Sequence, residues 1–128
     1  MTLLDEDILE SQRLEMDSSG IPVRQVGVDW GRKGMSDDDI LAKVRRSKRV
    51  TFLTQDLALY NRAYCHTAYC IALMTVQPHR TAEYAARFLK HAAFRTHALS
   101  MGKVARVRLA GIAYWERNAR SEIKVAWS

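Results

Sequence analysis

The sequence predicts an α/β fold of three layers, α/β/α, around a mainly parallel sheet, with a C-terminal β-hairpin. Three observations predict it. Short apolar runs alternate with stretches of helical periodicity, strand then helix four times over. That order builds a parallel sheet with helices on both faces, because each parallel crossover needs a long connection. The tail instead alternates apolar and polar residues with period two, as antiparallel strands do. Residues 1–128 amount to one domain, with no repeat, linker or low-complexity segment.

The elements follow in order. Thr2-Leu3-Leu4 reads as a short buried strand ending at Asp5. A helix is expected from Glu6 to Ser19, with Ile8, Leu9 and Met16 on one side and Gly20 closing it. Ile21 to Val28 reads as a strand with Pro22 near its entry, and Asp29 to Met35 as a loop. Ser36 looks like an N-cap, with Asp39 three residues later. Ile40, Leu41 and Val44 form the inward face of that helix. Arg45, Arg46, Lys48 and Arg49 lie at its C-terminal end, where cations suit the helix dipole.

Val50 to Thr54 is β-branched and aromatic, and is expected to be a central strand buried on both faces. Leu59 to Tyr69 is expected as a helix and Cys70 to Val76 as a second buried run. Thr81 to Met101 reads as the clearest helix, with Ala85, Phe88, Leu89, Ala92, Thr96 and Leu99 on one face and Gly102 ending it. In the tail, Ala105, Val107, Leu109, Ala113 and Trp115 make one arm of the hairpin. Asn118-Ala119-Arg120 turns the chain, and Ile123, Val125 and Trp127 make the other arm.

Composition narrows the function classes. Hydrophobic residues make up 48%, with 6 Gly and 2 Pro, which excludes a collagenous or disordered chain. No apolar run approaches the roughly 20 residues needed to span a bilayer, and the acidic N-terminus lacks a basic leader. A cytoplasmic protein without a membrane partner is expected. Cys65 and Cys70, with His66 adjacent, lack the further ligands of a zinc site and read as small buried hydrophobes. A net charge of +6 favours a polyanionic partner.

Chemistry is expected outside the carboxyl ends of the strands. Asp5 and Glu6 follow the first strand, and Asp56 lies just past Thr54. Asp37, Asp38 and Asp39 open the helix that leads into the Val50–Thr54 strand, so at least one is expected at the same edge. Their bland reading is a first-turn acid that complements the helix dipole. Converging carboxylates repel, and a hard divalent cation such as Mg2+ removes that cost with oxygen ligands. Gly31-Arg32-Lys33-Gly34 is a basic loop able to touch phosphate, and Trp30 beside it either stacks on a base or covers the core.

Three blocks together, Leu3-Leu4-Asp5-Glu6, Ser36-Asp37-Asp38-Asp39-Ile40-Leu41 and Val50-Thr51-Phe52-Leu53-Thr54-Gln55-Asp56, resemble the PIN-like domain family, in particular its small toxin-type members. The resemblance covers roughly residues 2–76. It implies a metal-dependent ribonuclease holding Mg2+ or Mn2+ on Asp5, Asp37 and Asp56, with Glu6, Asp38 and Thr54 in support. RNA is the implied substrate, contacted by Arg32, Lys33, Arg45 and Arg46. An antitoxin protein is the implied partner, while the hairpin after Lys103, longer than the family's usual end, offers Tyr114, Trp115 and Trp127 as a surface for a second copy of the chain or another partner, or else as two more strands packed on the core. One departure stands out: Ala58 occupies a position where the family pattern carries a further Asp.

Two other readings remain. A PIN-like module that has lost its centre would bind RNA or a protein partner without cleaving, and Ala58 supports it. A phospho-acceptor receiver domain also has an acid pair after its first strand and an Asp after its third. It further needs a hydroxyl residue after the fourth strand and a Lys after the fifth. Here Thr75 lies in an apolar run and Lys103 precedes Val104.

Overall fold

Successive side chains of a strand point to opposite faces of its sheet, and the longest apolar runs of this chain occupy the sheet's centre. The computed structural model describes residues 1–128. Its strands are β1 (Thr2–Leu4), β2 (Val23–Gln25), β3 (Val50–Thr54), β4 (Tyr69–Met74), β5 (Val104–Arg108), β6 (Gly111–Trp115) and β7 (Ile123–Val125). They form one sheet in the order β2-β1-β3-β4-β5-β6-β7. β2 through β5 are parallel, and β5, β6 and β7 are antiparallel to their neighbours. The helices are α1 (Glu10–Ser18), α2 (Asp37–Ser47), α3 (Thr81–Lys90) and α4 (His97–Ser100). The fold is α/β with a seven-stranded mixed sheet.

Two apolar clusters follow from strand parity. Leu3, Phe52, Ile71 and Val104 pack with Ile40, Leu41 and Val44 of α2. Leu4, Leu53, Ala72, Ala105 and Val107 pack with Met16 of α1 and Ala85 and Phe88 of α3. All five residues of β3 and all six of β4 are buried, as expected for strands covered on both faces. The two outermost strands, β2 and β7, are three residues long, and each exposes a cation midway, Arg24 and Lys124. No helix is long and apolar enough to cross a membrane.

Several expected boundaries move, each for a physical reason. α1 begins at Glu10, not Glu6, because the Gln25 amide donates to the carbonyls of Asp5, Glu6 and Ile8 at 3.0, 3.3 and 2.8 Å. These bonds hold residues 5–8 as an irregular turn. Leu9 then lies extended before the helix and points to solvent. β2 is shorter than Ile21–Val28, since the chain turns at Gly27 (φ +80°), whose N–H donates to the Trp30 carbonyl at 2.8 Å. The helix expected over Leu59–Tyr69 is replaced by two single 3₁₀ turns, Leu57–Leu59 and Arg62–Tyr64. Asp56 accepts from the Ala58 N–H at 3.0 Å and Asn61 from the Ala63 N–H at 2.9 Å, local bonds that compete with a helix.

The long helix expected over Thr81–Met101 is broken after Lys90. His91 is extended, its Nδ1 accepts from Ala93 N–H at 3.0 Å and its Nε2 lies 2.7 Å from the Ala126 carbonyl. The kink turns Phe94 inward, 4.5 Å from the Phe88 ring, and leaves Ala92, Thr96 and Leu99 exposed. The tail is a meander and not one hairpin. An extra turn at Leu109-Ala110 separates β5 from β6, and Trp127 Nε1 straps it by donating to the carbonyls of Arg108 and Leu109 at 3.0 and 3.1 Å. Tyr114 faces the same side as Ala105, while Ala113 and Trp115 share the other side with Arg106 and Val104.

Gly111 is the tight point of that meander. A Cβ there would sit 2.3 Å from the Val125 carbonyl oxygen, at φ +152°. Gly111→Ala is therefore expected to destabilise the protein by about 1–3 kcal/mol through overpacking. Thermal unfolding followed by circular dichroism checks this; an unchanged melting temperature would refute the close approach.

Candidate functional site

β2 and β3 leave β1 on opposite sides, so the strand order reverses at β1. At such a switch point the loops leaving the strands diverge and open a crevice at their carboxyl ends. Asp5 and Asp56 follow β1 and β3 at this place. α2 follows β2, so its first residue, Asp37, starts at the same edge.

The three carboxylates meet. Asp5 Oδ2 accepts from the Thr54 hydroxyl at 2.7 Å, and Asp5 Oδ1 accepts from the Glu6 N–H at 2.8 Å. The same Thr54 oxygen accepts from the Asp56 N–H at 3.1 Å. Thr54 is fully buried, so this hydroxyl links the two strand-end acids from beneath. The Asp37 carboxyl lies beside that of Asp56 and within electrostatic reach of Asp5 and Asp38. Partial burial, and then the neighbouring Asp56, push the Asp37 carboxyl up to about 6. Asp5 is raised as well, mainly by burial, which outweighs the bonds from Thr54 and Glu6. No group of three or more His, Cys, Asp or Glu side chains stands close enough together to hold a metal ion.

The remaining expected residues divide. Glu6 accepts from the Gly34 N–H at 3.0 Å and so fastens the loop after β2 to the end of β1. Asp38 is exposed on the first turn of α2 and raises Asp37 only through its charge. Ser36 caps α2 as expected, accepting from the Asp39 N–H at 3.1 Å. Arg32 pairs with Asp39 at 3.4 Å. Arg32 and Arg46 line one open cleft of about 500 Å3, together with Lys43 and Asp39. Lys33 packs its stem beside Gly27, and Arg45 faces the Tyr69 hydroxyl, so neither joins that cleft. Trp30 is 6% exposed and covers the core beneath Lys43, whose Nζ lies 4.6 Å from the ring centroid; it is not an open stacking platform.

Lys43 and Gln25 are absent from the sequence-based set. Lys43 was legible in principle, because Asp39, Lys43 and Arg46 share one helix face by their spacing. Gln25 carries no such signal: its amide serves three backbone carbonyls around the Asp5 turn. Lys103 stands before β5, at the opposite edge of the sheet from Asp5 and Asp56, which removes a requirement of the receiver reading. Cys65 and Cys70 are free; Cys65 is half-buried and Cys70 is buried, its thiol pushed up to about 12 by desolvation.

No family model, curated protein or solved structure matches the chain.

Two outcomes follow from this geometry. The Asp37 carboxyl takes its proton more readily in the folded state, at about 6 against an ordinary 3.8. Its contribution to stability is thus present below the ordinary value and lost as pH rises through the folded one. In metal-free buffer, Asp37→Asn is expected to gain about 1 kcal/mol over the parent above pH 7, allowing for solvent screening. The gain should vanish towards pH 4, and denaturant titrations at several pH values check it. Thr54→Val removes a buried hydroxyl with two partners and is expected to cost about 1–3 kcal/mol, measured in the same titrations.

Proposed function

We propose that the chain is a metal-dependent ribonuclease of PIN-like type, built as a three-layer α/β/α domain. The observation that carries the reading is the meeting of Asp5, Asp37 and Asp56 at the sheet's switch point, with Asp37 pressed against Asp56. Mutual repulsion makes that arrangement costly for the chain alone. The donor set is made of carboxylate oxygens, which suits Mg2+ or Mn2+ better than a softer ion. Mg2+ keeps several waters and takes one or two carboxylates directly, so a group of three ligating side chains is not required. When bound, such an ion activates water and offsets the charge that builds on a phosphoryl group.

The chain's own residues do the rest. Asp5, Asp37 and Asp56 would hold the ion, and Thr54 fixes the spacing of two of them through one oxygen. Glu6 positions the Arg32 loop rather than the ion. Arg32, Lys43 and Arg46 offer a cationic cleft on α2 for phosphates of an RNA strand. As in the toxin-type proteins that the sequence resembles, the partner we propose is an antitoxin protein.

A second reading has its own observation. Ala58 leaves the acidic centre one carboxylate short of the family pattern, and its N–H is spent on capping Asp56 Oδ1. On that reading the chain binds RNA without cutting it.

Incubation of single-stranded RNA with the protein in Mg2+, Mn2+ or EDTA separates the two. The nuclease reading expects cleavage in either metal, none in EDTA, and a loss of at least about 100-fold in Asp5→Asn with Asp56→Asn. RNA binding by a folded, metal-saturated protein that leaves every strand intact selects the second reading.

A further inference from the structure

The register of the sheet places a second feature on the same face as the acids. Thr54 of β3 pairs with Leu73 of β4, Leu73 with Arg106 of β5, Arg106 with Ala113 of β6, and Ala113 with Lys124 of β7. Registered residues in neighbouring strands share a face. Thr54, Leu73 and Ala113 are buried, so the row is covered between its ends and reaches solvent only at Arg106 and Lys124, on the same face as the Asp5–Thr54 hydrogen bond. Strands are spaced about 4.8 Å apart, so Arg106 stands roughly 15 Å from Asp5 along this row. Arg108 lies on the same face, two residues further towards the edge where the acids sit.

Neither arginine forms an ion pair. Their Nε atoms are buried and make no hydrogen bond. None of the chain's four ion pairs includes Arg106, Arg108 or Lys124. The nearby carboxylate, Glu122, is engaged by the Tyr60 hydroxyl. A guanidinium with a pinned, desolvated stem and no protein acceptor is a donor set that lacks its anion. The 3₁₀ segment crosses this face beside the arginines, bringing Tyr60 to one side and Arg62 over the Trp115 ring at 6.0 Å.

We infer that Arg106, Arg108 and Lys124 form a track for the phosphodiester backbone of single-stranded RNA, on the same face as the carboxylate centre and separated from it by the buried Leu73. The three cations lie on two strands beside the Tyr60 ring, an area that suits a single strand better than a rigid duplex. An acidic protein surface would meet the same charges but would not need them on the same face as the acids. The inference rests on the nuclease reading for its choice of ligand, and its test does not depend on cleavage.

The test is binding of a short fluorescein-labelled oligouridylate in EDTA, followed by anisotropy across a salt series. Arg106→Gln with Arg108→Gln is expected to weaken binding about tenfold. It should also lower the slope of log affinity against log salt by about 1.4, or 0.7 for each lost phosphate contact. Lys124→Glu, on an exposed side chain, tests the same row without touching the buried stems and should weaken binding too. Arg24→Gln on the opposite edge strand is the charge control and should bind as the parent does. Unchanged affinity in the folded double variant and in Lys124→Glu overturns the track. So does an equal loss in Arg24→Gln, or polyglutamate displacing the RNA as well as unlabelled oligouridylate does. Track-dependent binding without cleavage in either metal would remove the nuclease and keep the track; cleavage with no effect of these variants would do the reverse.

Discussion

A single hydroxyl under two carboxylates sets the geometry at the carboxyl edge of this sheet. Thr54 donates to Asp5 and accepts from the Asp56 backbone, so the ends of β1 and β3 cannot drift apart without breaking a buried bond. That bond exists only because β1 pairs in parallel with β3, with Leu4 opposite Leu53. The pairing in turn requires β2 to lie on the other side of β1, which sends α2 back across the crevice with Asp37 at its tip. Strand order, helix start and the meeting of the three acids are therefore one constraint seen at three scales.

The two faces of the sheet serve different ends. The α1 and α3 side is apolar across nearly its whole width, from Leu4 to Tyr114, and carries the larger share of the core. The α2 side is apolar only over its first strands; beyond Leu73 it turns cationic. A helix layer over that second half would have to bury Arg106 and Arg108 without acceptors, which is costly. Two short 3₁₀ turns cross there in place of a helix, and the Asp56 and Asn61 caps hold those turns in shape.

Much of this was legible in the residues because it is local or follows a general topological rule. Val50 to Thr54 is a strand by composition, Ser36 announces its helix, and acids just after buried strands fall at the edge where ligands gather. What was not legible depends on distant partners. The break at His91 is tied to the Ala126 carbonyl, thirty-five residues away, and no periodicity within the helix records it. The late start of α1 comes from Gln25, far along the chain. The turn at Leu109-Ala110 reverses the facing parity, and because Ile112 to Trp115 are apolar on both faces the alternation in the sequence hid that reversal. Arg106 and Arg108 read as ordinary outward-facing residues until the register lined them up with Thr54.

The shortness of the outer strands has a consequence for self-association. An open sheet invites a copy of itself to add another strand, since its outermost backbone groups lack partners. Here each rim offers only three residues, and each carries an exposed cation at its midpoint, Arg24 on one side and Lys124 on the other. Any rim-to-rim pairing of two molecules would bring like charges together over a ladder too brief to offset them. The fold thus guards its flanks against growth into a shared sheet, and a dimer of this chain would have to form through another surface.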